Sequence, residues 1–171
     1  MIDFTTVGYL KSGSEIQKKV YEILTKYRIF EKLKEYSPLL AGTFPIGINI
    51  EGSDLDIICQ FKNENDFTGI LQQYFQDNDN FTLKEITVNG EKSVVLNFIL
   101  KGFPIEIFGQ NKPVTKQNAY RHMIVEYKIL QQKGEDFKQK IIELKKKGIK
   151  TEPAFGLLLG LENPYEDLLK F

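Results

Sequence analysis

Residues 81–109 contain three β-rich runs separated by two tight turns, and this narrows the fold more than any other feature of the chain. The runs are Phe81–Val88, Lys92–Leu100 and Phe103–Gly109. Asn89-Gly90 separates the first two, and Asn-Gly is the dipeptide that most favours a two-residue hairpin turn with both residues at positive φ. Lys101-Gly102 is a second tight turn. An antiparallel meander is expected here, and the rest of the chain must cover it.

The third run is apolar except for Glu106. A similar interruption occurs upstream. An apolar strand is expected over Leu39–Phe44, followed by a turn-rich stretch with Pro45, Gly47 and Gly52, then a second strand over Leu55–Phe61. Asp54 and Asp56 sit at the head of that second strand. Side chains alternate along a strand, so the two carboxylates share a face about 6.6 Å apart, with Leu55 and Ile57 opposite. At an effective dielectric near 20 they repel by about 2.5 kcal/mol. Aspartate is also depleted in strands, so the pair implies a compensating cation, and hard divalent ions such as Mg²⁺ favour carboxylate oxygens and substrate phosphates.

The remaining segments read as helices. Ser14 caps a helix carrying Ile16, Val20, Ile23 and Leu24, and a short one carries Ile29, Phe30 and Leu33 before Ser37-Pro38. Asn63 caps another over Glu64–Gln76. From Thr115 the pattern is helical to the end, with helices over Lys116–Gln132, from Phe137 to Gly148, over Ala154–Leu161, and a last short one to Leu169. The expected architecture is one α+β domain of 171 residues, a mixed β-sheet flanked by helices, with a sheet-containing core over 1–114 and a helical extension over 115–171.

Lysine plus arginine balance aspartate plus glutamate at 23 each, so bulk nucleic-acid binding is not expected. Cys59 is the only cysteine, which excludes an intrachain disulfide and a thiolate metal cluster; it reads as a packed core thiol. No run approaches a membrane span, and a soluble, cytoplasmic protein is expected. Lys138, Lys140, Lys145, Lys146 and Lys147 read as a solvated helix face.

An apolar strand ending in Gly42-Thr43, a ten-residue connection, Asp54-Leu55-Asp56-Ile57 on the next strand, and Glu106 on a later one together resemble the nucleotidyltransferase superfamily, with its polymerase-beta-like fold. Within it the chain resembles a small group of bacterial proteins catalogued as a domain of unknown function. That resemblance runs through residues 42–48, Gly52-Ser53-Asp54-Leu55-Asp56, residues 105–110, residues 117–123 and Lys150-Thr151-Glu152-Pro153-Ala154-Phe155. It implies that Asp54, Asp56 and Glu106 are the catalytic residues and hold Mg²⁺ or Mn²⁺, and that a nucleoside triphosphate transfers its nucleotidyl group to an unidentified hydroxyl acceptor.

Gly42 lets backbone approach the phosphates. Thr43 offers an N–H and a hydroxyl where the superfamily commonly has Gly or Ser. Ser53, Arg121, His122 and Lys150 complete the candidate nucleotide-binding set. Each acid alone also has an ordinary reading as a turn cap, lysine partner or strand end. The competing functional expectation is a catalytically silent nucleotide- or partner-binding module, antitoxin-like in character.

Overall fold

The computed structural model describes residues 2–171. Helices α1 (Glu15–Lys26) and α2 (Ile29–Lys32) precede strand β1 (Leu39–Ala41), the one-turn helix α3 (Thr43–Ile46) and strand β2 (Leu55–Gln60). Helix α4 (Glu64–Phe75) leads into β3 (Asp79–Val88), β4 (Glu91–Leu100) and β5 (Phe103–Gln110). Helices α5 (Asn118–Lys133), α6 (Glu135–Lys146), α7 (Thr151–Leu159) and α8 (Pro164–Asp167) follow.

The meander is present. Asn89 and Gly90 have φ 51° and 78°, and Lys101 and Gly102 have φ 51° and 82°. Both turns therefore have the doubly positive φ values whose twist matches that of the flanking strands. The sheet order is β1-β2-β5-β4-β3, and every neighbouring pair is antiparallel except β2 with β5. That parallel pair sets Asp56 beside Glu106 and Ile58 beside Phe108.

Strand alternation divides the core into two layers. Leu55, Ile57, Cys59, Ile105 and Ile107 pack with Val20, Leu24 and Ile29 of the N-terminal helices and Phe67 and Leu71 of α4. On the other face Leu39, Ala41 and Ile58 pack with Met123, Ile129, Ile141 and Phe155 from the C-terminal helices. Cys59 is buried, as expected, and burial pushes its thiol pKa up. Gly109 of β5 leaves room for α4, since a Cβ there would lie 2.2 Å from Phe67 Cε1.

The expected strand over Leu39–Phe44 is cut short. It stops at Ala41, and Gly42 turns the chain at φ 74°, ψ −145° so that Thr43 begins α3, which ends at Gly47 with φ 70°. Gln17 Nε2 anchors the end of this turn by donating to the Phe44 carbonyl at 2.8 Å. Among the described residues, no helix is long and apolar enough to cross a membrane.

Candidate active site

Where β1 gives way to α3, Gly42 lies against Asp56. A Cβ on Gly42 would stand 2.0 Å from Asp56 Oδ2, inside any permitted contact. Glycine is therefore required twice, by its positive φ and by the carboxylate against it. Asp56 and Glu106 share one side of the sheet, adjacent in register, while Asp54, exposed just ahead of β2, acts on both but is not among the residues lining the cavity above them.

Their electrostatics express the crowding. Burial, then Glu106 and Asp54, pushes Asp56 up to about 7, with Lys145 pulling the other way. Burial and then Asp54 also raise the pKa of Glu106. Carboxylates that mutually favour protonation gain most from a cation. Among the described residues no three His, Cys, Asp or Glu side chains already stand in metal-holding geometry. The donor set itself, hard carboxylate oxygens at like-charge separation, fits a hard divalent ion.

Above the acids a cavity of about 620 Å³ opens between the sheet and the C-terminal helices. Gly42, Thr43, Ser53, Asp56, Glu106, His122 and Lys150 all line it. Ser53 Oγ accepts from the Ile50 N–H at 2.9 Å and so closes the turn leading to Asp54. Lys150, immediately before α7, is exposed at the rim.

Arg121 and His122 are placed differently from one another. Arg121 is exposed, donates to Asn118 Oδ1 at 3.3 Å and is not among the residues lining the cavity, because its position on α5 points away from the sheet. His122 belongs to a buried wall of the cavity, with 8% of its surface exposed. Its Nε2 lies 2.8 Å from the Tyr165 carbonyl oxygen, which can only accept, so that nitrogen carries a proton and donates it. Its Nδ1 lies 3.5 Å from Glu152 Oε1.

The cavity also holds groups that sequence reasoning missed. Lys145 belongs to the basic run expected to be solvated, yet it is 7% exposed and lines the cavity. Burial lowers its pKa to about 8 against the opposing pull of Glu126, Asp56 and Glu152. Its spacing carries a usable signal: it follows the fully buried Ile141 by four residues, one turn along the same helical face. Glu126 is 3% exposed on the apolar face of α5, three residues after Met123 and four before Leu130. Burial, then Glu152, pushes it up to about 8. Gln117, 2% exposed, donates from Nε2 to the carbonyls of Cys59 at 2.8 Å and Lys112 at 3.0 Å.

A family model described as a domain of unknown function (DUF4269) matches residues 22–171. Comparison with curated proteins returns no match. Among solved structures, the chain is similar to Cid1 poly(U) polymerase with MgGTP bound, at 14% identity and TM-score 0.53 over 75% of this chain and 41% of that one. It is also similar to the same polymerase with Mg 3′-dATP bound, at 12% identity and TM-score 0.56 over 81% and 45%. The GLD-2/RNP-8 complex matches at 13% identity and TM-score 0.54 over 90% and 61%. The chain thus spans less than half the length of the Cid1 chains, and the likeness establishes the nucleotidyltransferase fold.

Proposed function

This chain belongs to the DUF4269 family, and we propose that it is a metal-dependent nucleotidyltransferase that moves a nucleotidyl group from a nucleoside triphosphate to a hydroxyl acceptor. The observation that carries this reading is the pairing of Asp56 with Glu106 across β2 and β5, beside Asp54 and against Gly42, in a chain of nucleotidyltransferase fold. Asp54, Asp56 and Glu106 would hold the cation. A bound Mg²⁺ or Mn²⁺ supplies charge neutralisation for the triphosphate and Lewis acidity at the transferred phosphorus.

The chain's own residues do the rest. Gly42 admits phosphate oxygens to the backbone, and Thr43, at the start of α3, offers its N–H and hydroxyl. Lys145 and Lys150 neutralise phosphate charge from the opposite wall, and the desolvation of Lys145 strengthens its interaction. In the reaction the acceptor oxygen forms a bond to the α-phosphorus, the bond from that phosphorus to the bridging oxygen breaks, and pyrophosphate leaves. Glu106, whose proton affinity is raised, takes the hydroxyl proton.

Thermal unfolding with Mn²⁺ or Mg²⁺ and each of the four non-hydrolysable nucleoside triphosphates tests this reading. At least one nucleotide should raise the melting temperature, and the double substitution Asp54→Ala with Asp56→Ala should abolish the shift. No shift with any of the four contradicts the reading.

A further inference from the structure

The proposed reaction uses the acid end of the cavity and its lysines, and leaves the opposite end without a role. From Glu106 the cavity-facing side of β5 continues through Phe108 to Gln110, about 6.6 Å and about 13 Å farther along the strand, with Ile58 beside Phe108 in the parallel pair. Phe108, Gln110 and Ile58 all line the cavity, so its floor changes from acid to apolar and aromatic, and then to amide. An α-phosphate near the acids therefore has an apolar, aromatic surface beyond it, of the kind on which bases stack.

Two glutamine side chains close that end, and their hydrogen bonds fix the orientation of each amide. The Ser93 hydroxyl donates to the Glu91 carbonyl at 3.1 Å, so Ser93 Oγ accepts from Gln110 Nε2 at 2.9 Å. Gln117 Nε2 donates to the carbonyls of Cys59 and Lys112, which can only accept. In both residues the amino end is spent on the protein, and the oxygen is the end left for a ligand. Gln117 is 2% exposed, and its Oε1 has no hydrogen-bond partner among the described residues. Because Cys59 pairs with Gly109, the Gln117 amide lies beside the end of β5 that carries Gln110. Lys112, two residues on, lines the same cavity; Glu91 pairs with its ammonium, which has three hydrogens to donate.

This end of the cavity thus offers two acceptors and one donor above an apolar floor. The four bases differ on the edge they would present to it. Guanine carries one acceptor, O6, beside two donor groups, N1–H and the 2-amino group. Adenine and cytosine each bring a single donor group, the exocyclic amine, and uracil a single N–H between two carbonyls. Only guanine has a donor group for each glutamine oxygen and an acceptor for Lys112.

Resting on the nucleotidyl-transfer reading, we propose that the triphosphate is a guanosine nucleotide, its base seated on Phe108 and Ile58 with N1–H and the 2-amino group donating to Gln110 Oε1 and Gln117 Oε1 and O6 accepting from Lys112. Selection then takes place remote from the chemistry, and the acids stay free for the cation. The same groups act against the other bases. Adenine sets its 6-amino donor against the Lys112 ammonium, and uracil sets a carbonyl against a glutamine oxygen.

Calorimetry on the full chain with Mn²⁺ and the α,β-methylene analogues of GTP, ATP, CTP, UTP and ITP tests the assignment. The guanine analogue should bind at least about tenfold more tightly than those of ATP, CTP and UTP, and the inosine analogue, which lacks the 2-amino group, should lose at least about fivefold against it. Gln110→Met and Lys112→Met should each cut the guanine-over-adenine ratio to about threefold or less. Lys112 has 34% of its side chain exposed, so its replacement leaves the core intact and reports even where Gln110→Met fails to fold. Equal binding of the four standard bases, a lead by another base, or a ratio unchanged in Lys112→Met or in folded Gln110→Met overturns the guanine assignment and leaves the nucleotidyl-transfer reading standing. Binding of none of the five contradicts the underlying reading instead.

Discussion

A methyl group at position 42 would have to occupy space held by Asp56 Oδ2, 2.0 Å away, and would also have to accept φ 74°. Gly42→Ala should therefore displace the carboxylate and lower stability by about 1–2 kcal/mol from the backbone term alone. Chemical denaturation checks the second effect, and loss of nucleotide-dependent stabilisation checks the first. Lys145 has the opposite character: it lies on no tight turn and makes no ion pair within 4.0 Å among the described residues, yet it offsets Asp56 and Glu126. Lys145→Met should weaken triphosphate binding about tenfold or more, as expected for losing a charged contact in a desolvated cleft. It should also raise the pH at which metal binds, because Asp56 then holds its proton more tightly. A pH series of Mn²⁺ titrations on the variant reads both.

The elements explain which parts of the site were legible in the sequence. The meander and its turns were readable because Asn89-Gly90 and Lys101-Gly102 state their backbone geometry locally. The acids at 54, 56 and 106 were readable because each interrupts an apolar run. The strand over Leu39–Phe44 was overextended because Thr43 and Phe44 suit a strand by composition, whereas the turn at Gly42 answers to a carboxylate fourteen positions away. Glu126 and Lys145 escaped because a charged residue on an amphipathic helix normally marks its solvent face. Here two apolar helix faces, α5 and α6, close over the cavity and carry those charges inward. At this scale Gly109→Ala makes a useful contrast. Its Cβ would press on Phe67 at 2.2 Å and force β5 from α4, lowering stability by about 1–3 kcal/mol. Because Gly109 faces the layer away from the cavity, nucleotide-dependent stabilisation should persist, and thermal unfolding with and without nucleotide separates the two effects.

Over the whole molecule, the acid-rich cleft makes stability depend on pH. Asp56 and Glu126 are pushed up to about 7 and about 8, so the folded state binds protons that the unfolded chain has already released. Stability is therefore highest below the ordinary carboxylate range and falls as pH rises from about 4.5 to about 8. Lys145, lowered to about 8, carries a fixed penalty below that pH and regains stability only as pH rises beyond it. Urea denaturation from pH 5 to 8 should show the decline, and Glu126→Gln should flatten its upper part. A cation held by Asp54, Asp56 and Glu106, as proposed, should reverse the trend near neutrality by favouring their ionised forms. The most direct test of that central claim is electron paramagnetic resonance of Mn²⁺ titrated into the protein with a non-hydrolysable nucleoside triphosphate. Tight Mn²⁺ binding that depends on nucleotide and disappears in both Asp56→Asn and Glu106→Gln is the predicted result. Mn²⁺ binding unchanged by either substitution would contradict the account.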